Sequence, residues 1–160
     1  MLKKVNKKIL LNILIFISLI LIFAFIIEYK LGHQPCNLCL YERIPYFISI
    51  GLIIKMLFYK KYQKITLLVL VLIFIASTLL AFYHFGIEEG IFIEPTTCSA
   101  GDISKNLSKE ELLDQLKQKN IGCKDVSFRI LGLSLAAINT VISFIFTLVF
   151  LKLFLNYKRN

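Results

Sequence analysis

Long uncharged apolar runs constrain the fold of this chain more than any other feature. Residues 9–27, 65–85 and 130–151 form runs of 19, 21 and 22 residues without Asp, Glu, Lys or Arg. A helix rises about 1.5 Å per residue and must cross about 30 Å of hydrocarbon, so about 20 residues span a membrane. Each run is therefore long enough for one transmembrane helix.

A fourth apolar run, at 44–59, is shorter and contains Lys55. It spans the membrane if its helix begins near Leu40 and the charges of Arg43 and Lys55 extend to the two interfaces. The alternative is a buried or re-entrant helix. Hydrophobic residues make up 58% of the chain, against about 45–50% in a typical soluble domain.

We therefore expect an all-α fold, an integral membrane four-helix bundle with two extracytoplasmic loops. The first run follows several lysines, but it exceeds the usual length of a signal peptide core and lacks a small-residue cleavage site, which favours a retained helix. A single membrane domain over 1–160 is expected, with spans at about 9–27, 42–59, 65–85 and 130–151.

Charged residues divide between the two sides that this arrangement defines. The termini and the link near 60–64 carry Lys and Arg and no acid, while all ten acidic residues fall within 28–43 and 86–129. Lys and Arg near span ends mark the cytoplasmic side, so both termini are expected in the cytoplasm and both loops outside. The net charge of +9 is spread over span ends and forms no single patch, which argues against nucleic-acid binding.

All four cysteines lie in the two outer loops, at Cys36, Cys39, Cys98 and Cys123. An even number of cysteines on an oxidising side favours two pairs. A C-x-x-C disulfide closes a very small loop and restrains the unfolded chain little, so the Cys36–Cys39 spacing suits electron exchange better than structural stapling. Two alternatives remain open at this point: structural disulfides, and a metal site with four thiolate ligands.

Arg43 is predicted to act together with Cys39. If the second helix includes Cys39, Arg43 lies four residues on and shares its face. A helix N-terminus and a nearby cation both favour a thiolate, the reactive form of cysteine. Since a charge this close to hydrocarbon is costly without a partner or a role, the two residues form a candidate site.

Two cysteine pairs on neighbouring loops also suggest an electron relay, which needs a final acceptor. The sequence has no C-x-x-C-H haem motif and no G-x-G-x-x-G fingerprint. A quinone that enters from the lipid bilayer fits, because it takes two electrons and its carbonyl oxygens can accept hydrogen bonds from Arg43.

The second outer loop combines irregular and helical signals. Gly86, Gly90 and Pro95 argue against regular structure at its start. Ser108 followed by Glu111 fits a capping box, which predicts a short amphipathic helix to about Lys119. That helix would lie on the membrane surface or pack against the bundle.

The sequence resembles the DsbB family of bacterial inner-membrane disulfide-generating proteins. The motifs that carry the resemblance are P-C-N-L-C-L-Y-E-R at 35–43, A-F-Y-H-F-G-I-E-E at 81–89, P-T-T-C at 95–98, a lone Cys123 and L-G-L-S at 131–134. The string P-C-x-L-C-x-x-E-R between the first two spans is specific. The chain has no tryptophan, which many relatives carry near the position of Ile138.

The resemblance implies a role for each matching residue. Cys36 and Cys39 would be the quinone-coupled pair, with Cys39 as the thiolate that meets the ring. Cys98 and Cys123 would form the second pair, and a DsbA-like thioredoxin-fold dithiol oxidase would attack Cys98.

Electrons would then pass to ubiquinone or menaquinone in the membrane quinone pool, with Arg43 positioning the quinone. Glu42 and His84 fall near the quinone region, although a solvated acid and an interfacial histidine would look the same in sequence. The competing function is a small membrane scaffold or metal-handling protein.

Overall fold

The structure is a computed structural model that describes residues 6–59, 62–95, 98, 122–124, 129–130 and 132–157. Within them the chain forms four long helices, which are α1 (Lys7–Tyr29), α2 (Asn37–Phe58), α3 (Gln63–Glu88) and α4 (Leu135–Leu155). All four are long and apolar enough to cross a membrane. The predicted four-helix membrane bundle is confirmed.

The start of α4 differs from the start of its apolar run. Before the helix, β1 (Arg129–Ile130) pairs antiparallel with β2 (Leu133–Ser134). Gly132 makes the turn between them with a φ of +84°, a conformation that glycine adopts without a side-chain clash. Ser134 then caps α4 by accepting a hydrogen bond from the N–H of Ala137 at 3.1 Å.

Aromatic rings fill the centre of the bundle. The Phe74 ring lies 4.9 Å from that of Phe146 and 5.3 Å from that of Phe150, centroid to centroid. Tyr46 meets Phe74 edge-on at 5.7 Å, and Phe16 joins α1 to Phe146 at 5.8 Å. These contacts tie the four helices together in their apolar interior, while the outward faces carry exposed aliphatic and aromatic side chains suited to lipid.

The antiparallel order of the helices decides where the functional residues meet. The start of α2, the end of α3 and the start of α4 lie at one end of the bundle, together with the end of α1. The predicted amphipathic helix around Ser108 to Lys119 lies outside the described residues, and so does part of the link between α2 and α3.

Candidate redox site

The first turn of α2 holds the C-x-x-C pair. Cys36 is the N-cap residue, and its Sγ accepts a hydrogen bond from the backbone N–H of Cys39 at 3.3 Å. The two Sγ atoms lie 2.9 Å apart, and both cysteines are free thiols. The unpaired N–H groups and the positive end of the helix dipole favour negative charge on a sulfur at this position.

A buried pair from two helices stands against Cys36. His84 on α3 has its Nε2 3.5 Å from Cys36 Sγ and its Nδ1 2.7 Å from Glu42 Oε1. Only 6% of Glu42 and 1% of His84 are exposed, so neither is a solvated or interfacial residue. A further carboxylate, Glu88, has Oε1 3.8 Å from His84 Nε2.

These neighbours lower the pKa of the Cys36 thiol well below its usual range. The hydrogen bond from the Cys39 thiol has the largest effect, burial opposes it, and His84 lowers the pKa further. In the reduced pair these neighbours therefore favour negative charge on Cys36. The prediction that Cys39 becomes the thiolate concerns its encounter with a quinone and stays a prediction.

The second cysteine pair lies beside the first. Cys98 and Cys123 form a disulfide, and the N–H of Cys123 donates to Glu94 Oε1 at 2.7 Å. Both belong to one buried cluster with Cys36, Leu38 and Ile87. The structure thus brings the four predicted cysteines together.

The same cysteines are the candidates for metal ligands. Cys36, Cys39 and His84 offer three ligand atoms within 4.8 Å of one another. A structural zinc site takes four ligands. The sulfurs of Cys98 and Cys123 are joined to each other, so a site with four thiolates is not formed among the described residues.

A cavity of about 580 Å³ opens between α1, α2 and the start of α4. Its polar wall includes Cys39, Glu42 and Arg43, and most of the rest is apolar. Of the described residues, His84 and Cys36 do not line this cavity. Since His84 is hydrogen-bonded to Glu42, which does line it, His84 lies behind Glu42 as seen from the cavity. The volume is in the usual range for a small-molecule pocket of about 300–1,000 Å³.

Arg43 is fixed at the rim of this cavity by two residues of α1. Its Nη1 donates to Glu28 Oε2 at 2.5 Å, and its guanidinium lies 5.1 Å from the centre of the Phe25 ring. Glu28 lines the cavity as well. A ligand in the cavity would therefore meet a cation whose position is set by a carboxylate.

Three residues at the site were missed by the sequence analysis: Glu28, Tyr46 and Asn139. Asn139 Nδ2 donates to Glu42 Oε2 at 2.6 Å, and Tyr46 Oη donates to Asn139 Oδ1 at 2.5 Å. A signal for Asn139 existed, because an amide in the middle of an uncharged span is costly and points to a specific role. Glu28 was counted only as an acid of the outer loop.

Comparison with known proteins gives two matches. A family model described as "Disulfide bond formation protein DsbB" matches residues 6–153. The chain is also similar to the uncharacterized protein RP370 of Rickettsia prowazekii (strain Madrid E). The two are 34% identical over 161 residues, covering 99% of this chain and 93% of that protein. That relative has no assigned activity, so it supports kinship alone.

Proposed function

The chain belongs to the DsbB family, as the resemblance of its sequence predicted, and from this premise we propose that it is a thiol:quinone oxidoreductase. Family membership supports a role in disulfide formation, and the four apolar helices indicate a multi-pass membrane protein. The finer proposal is that it reoxidises a DsbA-like dithiol oxidase and delivers the electrons to ubiquinone or menaquinone.

One observation carries this proposal: the two sulfurs of the C-x-x-C pair face different surroundings. Cys39 lines the cavity with Arg43 and touches the edge of the cluster that holds the Cys98–Cys123 disulfide, whereas Cys36 lies inside that cluster and outside the cavity wall. A pair placed in this way can receive electrons from one side and release them on the other.

The first half of the reaction is thiol–disulfide exchange. A thiolate of the partner attacks Cys98, Cys123 leaves as a thiolate, and the partner's second thiol then displaces Cys98, so that the partner gains a disulfide. Exchange with an oxidised Cys36–Cys39 pair restores the Cys98–Cys123 bond and leaves Cys36 and Cys39 as thiols. Each cycle moves two electrons and two protons.

The second half returns Cys36 and Cys39 to a disulfide. A quinone, when bound, would supply the oxidant, since it takes up two electrons and two protons to become the hydroquinone. Arg43 is proposed to donate a hydrogen bond to a quinone oxygen, since it lines the cavity with Cys39. His84, held by Glu42, is proposed to take the Cys36 proton, which frees that sulfur to bond with Cys39.

We further propose that the chain is one domain in a bacterial inner membrane, with both termini cytoplasmic and both cysteine loops periplasmic. The distribution of Lys and Arg supports this orientation. Thiols on the periplasmic side would be in the compartment where disulfides form.

A direct assay tests the function. Purified protein is mixed with a reduced DsbA-like protein and a soluble quinone, and quinone absorbance is followed. The wild type should consume quinone, and Cys39→Ser should not. Ser49→Ala is the control and should also consume quinone, because among the described residues the Ser49 hydroxyl donates only to the Pro45 carbonyl of its own helix, at 2.7 Å. Equal rates of quinone consumption for the wild type and Cys39→Ser would refute the proposed enzymatic activity. One tightly bound zinc per chain would favour the metal-handling alternative.

A further inference from the structure

A chain of buried polar groups runs from α4 to the redox cysteines. It starts at Asn139, whose Nδ2 lies 2.6 Å from Glu42 Oε2. Glu42 Oε1 lies 2.7 Å from His84 Nδ1, and His84 Nε2 lies 3.5 Å from Cys36 Sγ. Three helices therefore contribute one member each to a line that ends on a sulfur.

The orientation of the Asn139 amide follows from its neighbours. Only the NH₂ group can face the Glu42 carboxylate favourably, because the amide oxygen would repel it. The amide oxygen then points to Tyr46, whose hydroxyl donates to it at 2.5 Å. Tyr46 is held in turn by Ser143 at 3.0 Å, and Ser143 lies 3.1 Å from Ser77. The amide is thus fixed from both sides.

Asn139 donates a hydrogen bond to the second carboxylate oxygen of Glu42, a residue that is only 6% exposed. A buried carboxylate is costly unless each oxygen has a donor. Glu42 has His84 on one oxygen and Asn139 on the other. Without Asn139, Glu42 would rotate toward another donor or take up a proton, and both changes would weaken its hold on His84.

We infer that Asn139 is a positioning residue of the redox centre, which acts through Glu42 to hold His84 as the base that faces Cys36. The inference rests on the proposed function, since a base at Cys36 matters if that sulfur must be freed to close the disulfide. Asn139 also lines the cavity beside Cys39. Its amide is already bonded on both sides, so it is not offered as a ligand of the quinone.

The charge of Cys36 depends on a small set of neighbouring groups. Among the described residues, the titratable groups that face Cys36 or its histidine are Cys39 and Glu42 from α2, and His84 and Glu88 from α3. Cys98 and Cys123 pack against Cys36. As a disulfide they do not titrate, and in fully reduced protein their two thiols join the set equally in every variant. A substitution at Asn139 alters this set only through Glu42.

The test reads the ionisation of Cys36 without using a quinone. Fully reduced protein receives a short pulse of iodoacetamide at a series of pH values, and label at Cys36 is quantified by peptide mass spectrometry. Asn139→Leu should move the midpoint of this profile to higher pH by about one unit, which corresponds to loss of one hydrogen bond to a charged group. Tyr46→Phe removes the hydrogen bond to the Asn139 amide oxygen and leaves the contact between Asn139 and Glu42 in place. It should shift the midpoint of the Cys36 profile in the same direction by a smaller amount.

Thr140→Val is the matched control. Thr140 is adjacent on α4, and its hydroxyl donates to the Ala136 carbonyl of the same helix at 2.8 Å. Its profile should match the wild type. In the quinone assay, Asn139→Leu should lower kcat and shift the pH dependence of kcat. The KM for quinone should change less than about twofold, because a residue that positions the base affects the reaction step and not quinone binding.

Two results would overturn the inference. One is a Cys36 labelling profile that stays unchanged in both Asn139→Leu and Tyr46→Phe. The other is a raised quinone KM with an unchanged profile, which would make Asn139 a ligand contact. If the profile shifts while wild-type protein fails to consume quinone, the proposed function fails and the positioning of His84 at Cys36 still holds.

Discussion

The ion pair between Arg43 and Glu28 allows a quantitative test of the proposed quinone site. The two side chains are 15% and 19% exposed, and they meet at 2.5 Å at the rim of the cavity. A hydrogen bond to a charged group contributes about 1.5–3 kcal/mol, and partial exposure places this pair toward the lower end of that range. Arg43→Gln should therefore cost about 2 kcal/mol of stability by leaving Glu28 unpaired.

The same substitution should have a separate effect on catalysis. If Arg43 donates to a quinone oxygen, its loss removes a second interaction of about 1.5–3 kcal/mol, which lowers kcat/KM for quinone about 10- to 150-fold. Glu28→Gln keeps an acceptor oxygen opposite Arg43 and leaves the cation in the cavity. It should lower the unfolding midpoint slightly and change kcat/KM by less than about threefold.

The double variant Arg43→Gln/Glu28→Gln separates the two effects. It carries no unpaired charge, so its thermal midpoint should recover toward the wild type, while its kcat/KM should stay as low as in Arg43→Gln. Thermal unfolding in detergent and the quinone absorbance assay give the two readouts. Recovery of kcat/KM in the double variant would refute the reasoning, because Arg43 would then serve only to neutralise Glu28.

Three further predictions test other parts of the site. Glu42→Gln should move the Cys36 labelling profile to higher pH by up to about three units, because the carboxylate that contacts His84 Nδ1 at 2.7 Å stabilises a protonated ring. Two unit charges about 4 Å apart attract by about 4 kcal/mol at an effective dielectric of about 20, which corresponds to about three pH units. Below the shifted midpoint, labelling should be slower than in the wild type; an unchanged profile would contradict the His84–Glu42 link. Gly86→Ala should cost about 1–3 kcal/mol, because its Cβ would overlap the Phe92 ring. Gly51→Ala, which meets nothing within 4 Å, should be neutral or stabilising in the same thermal scan. A DsbA-like partner without its resolving cysteine should form a mixed disulfide with Cys98, and mass mapping of the adduct to Cys36 would reverse the proposed order of the pairs.

The membrane fold was predictable from sequence because span length follows from bilayer thickness. The start of α4 was not, since the apolar run continues through residues that form the β1–β2 pair before Ser134 caps the helix. Hydropathy averages over such residues and cannot separate a strand from a helix. The Ser134 cap and the Gly132 turn decide the boundary, and each acts through a single residue.

The candidate site was predictable where its residues are close in sequence. Cys36, Cys39 and Arg43 lie within one stretch, and helical geometry alone places Arg43 one turn from Cys39. The contact of Asn139 with Glu42 joins residues 97 positions apart. It depends on how α2 and α4 are rotated against each other, which the packing of the whole bundle determines and no local pattern encodes.

The position of the C-x-x-C pair at a helix start would explain how one motif can serve both halves of the proposed electron relay. Cys36 at the N-cap leaves the helical path and turns toward His84 and the second disulfide, while Cys39, inside the first turn, follows the helix face that carries Arg43. The sulfurs still touch, at 2.9 Å, because the N-cap side chain folds back over the N–H of the third helical residue. In the middle of a helix, residues three apart share one face and both sulfurs would meet the same surroundings. The boundary between loop and helix therefore gives the two sulfurs different neighbours: Cys36 is buried against His84 of α3, and Cys39 also lines the apolar cavity.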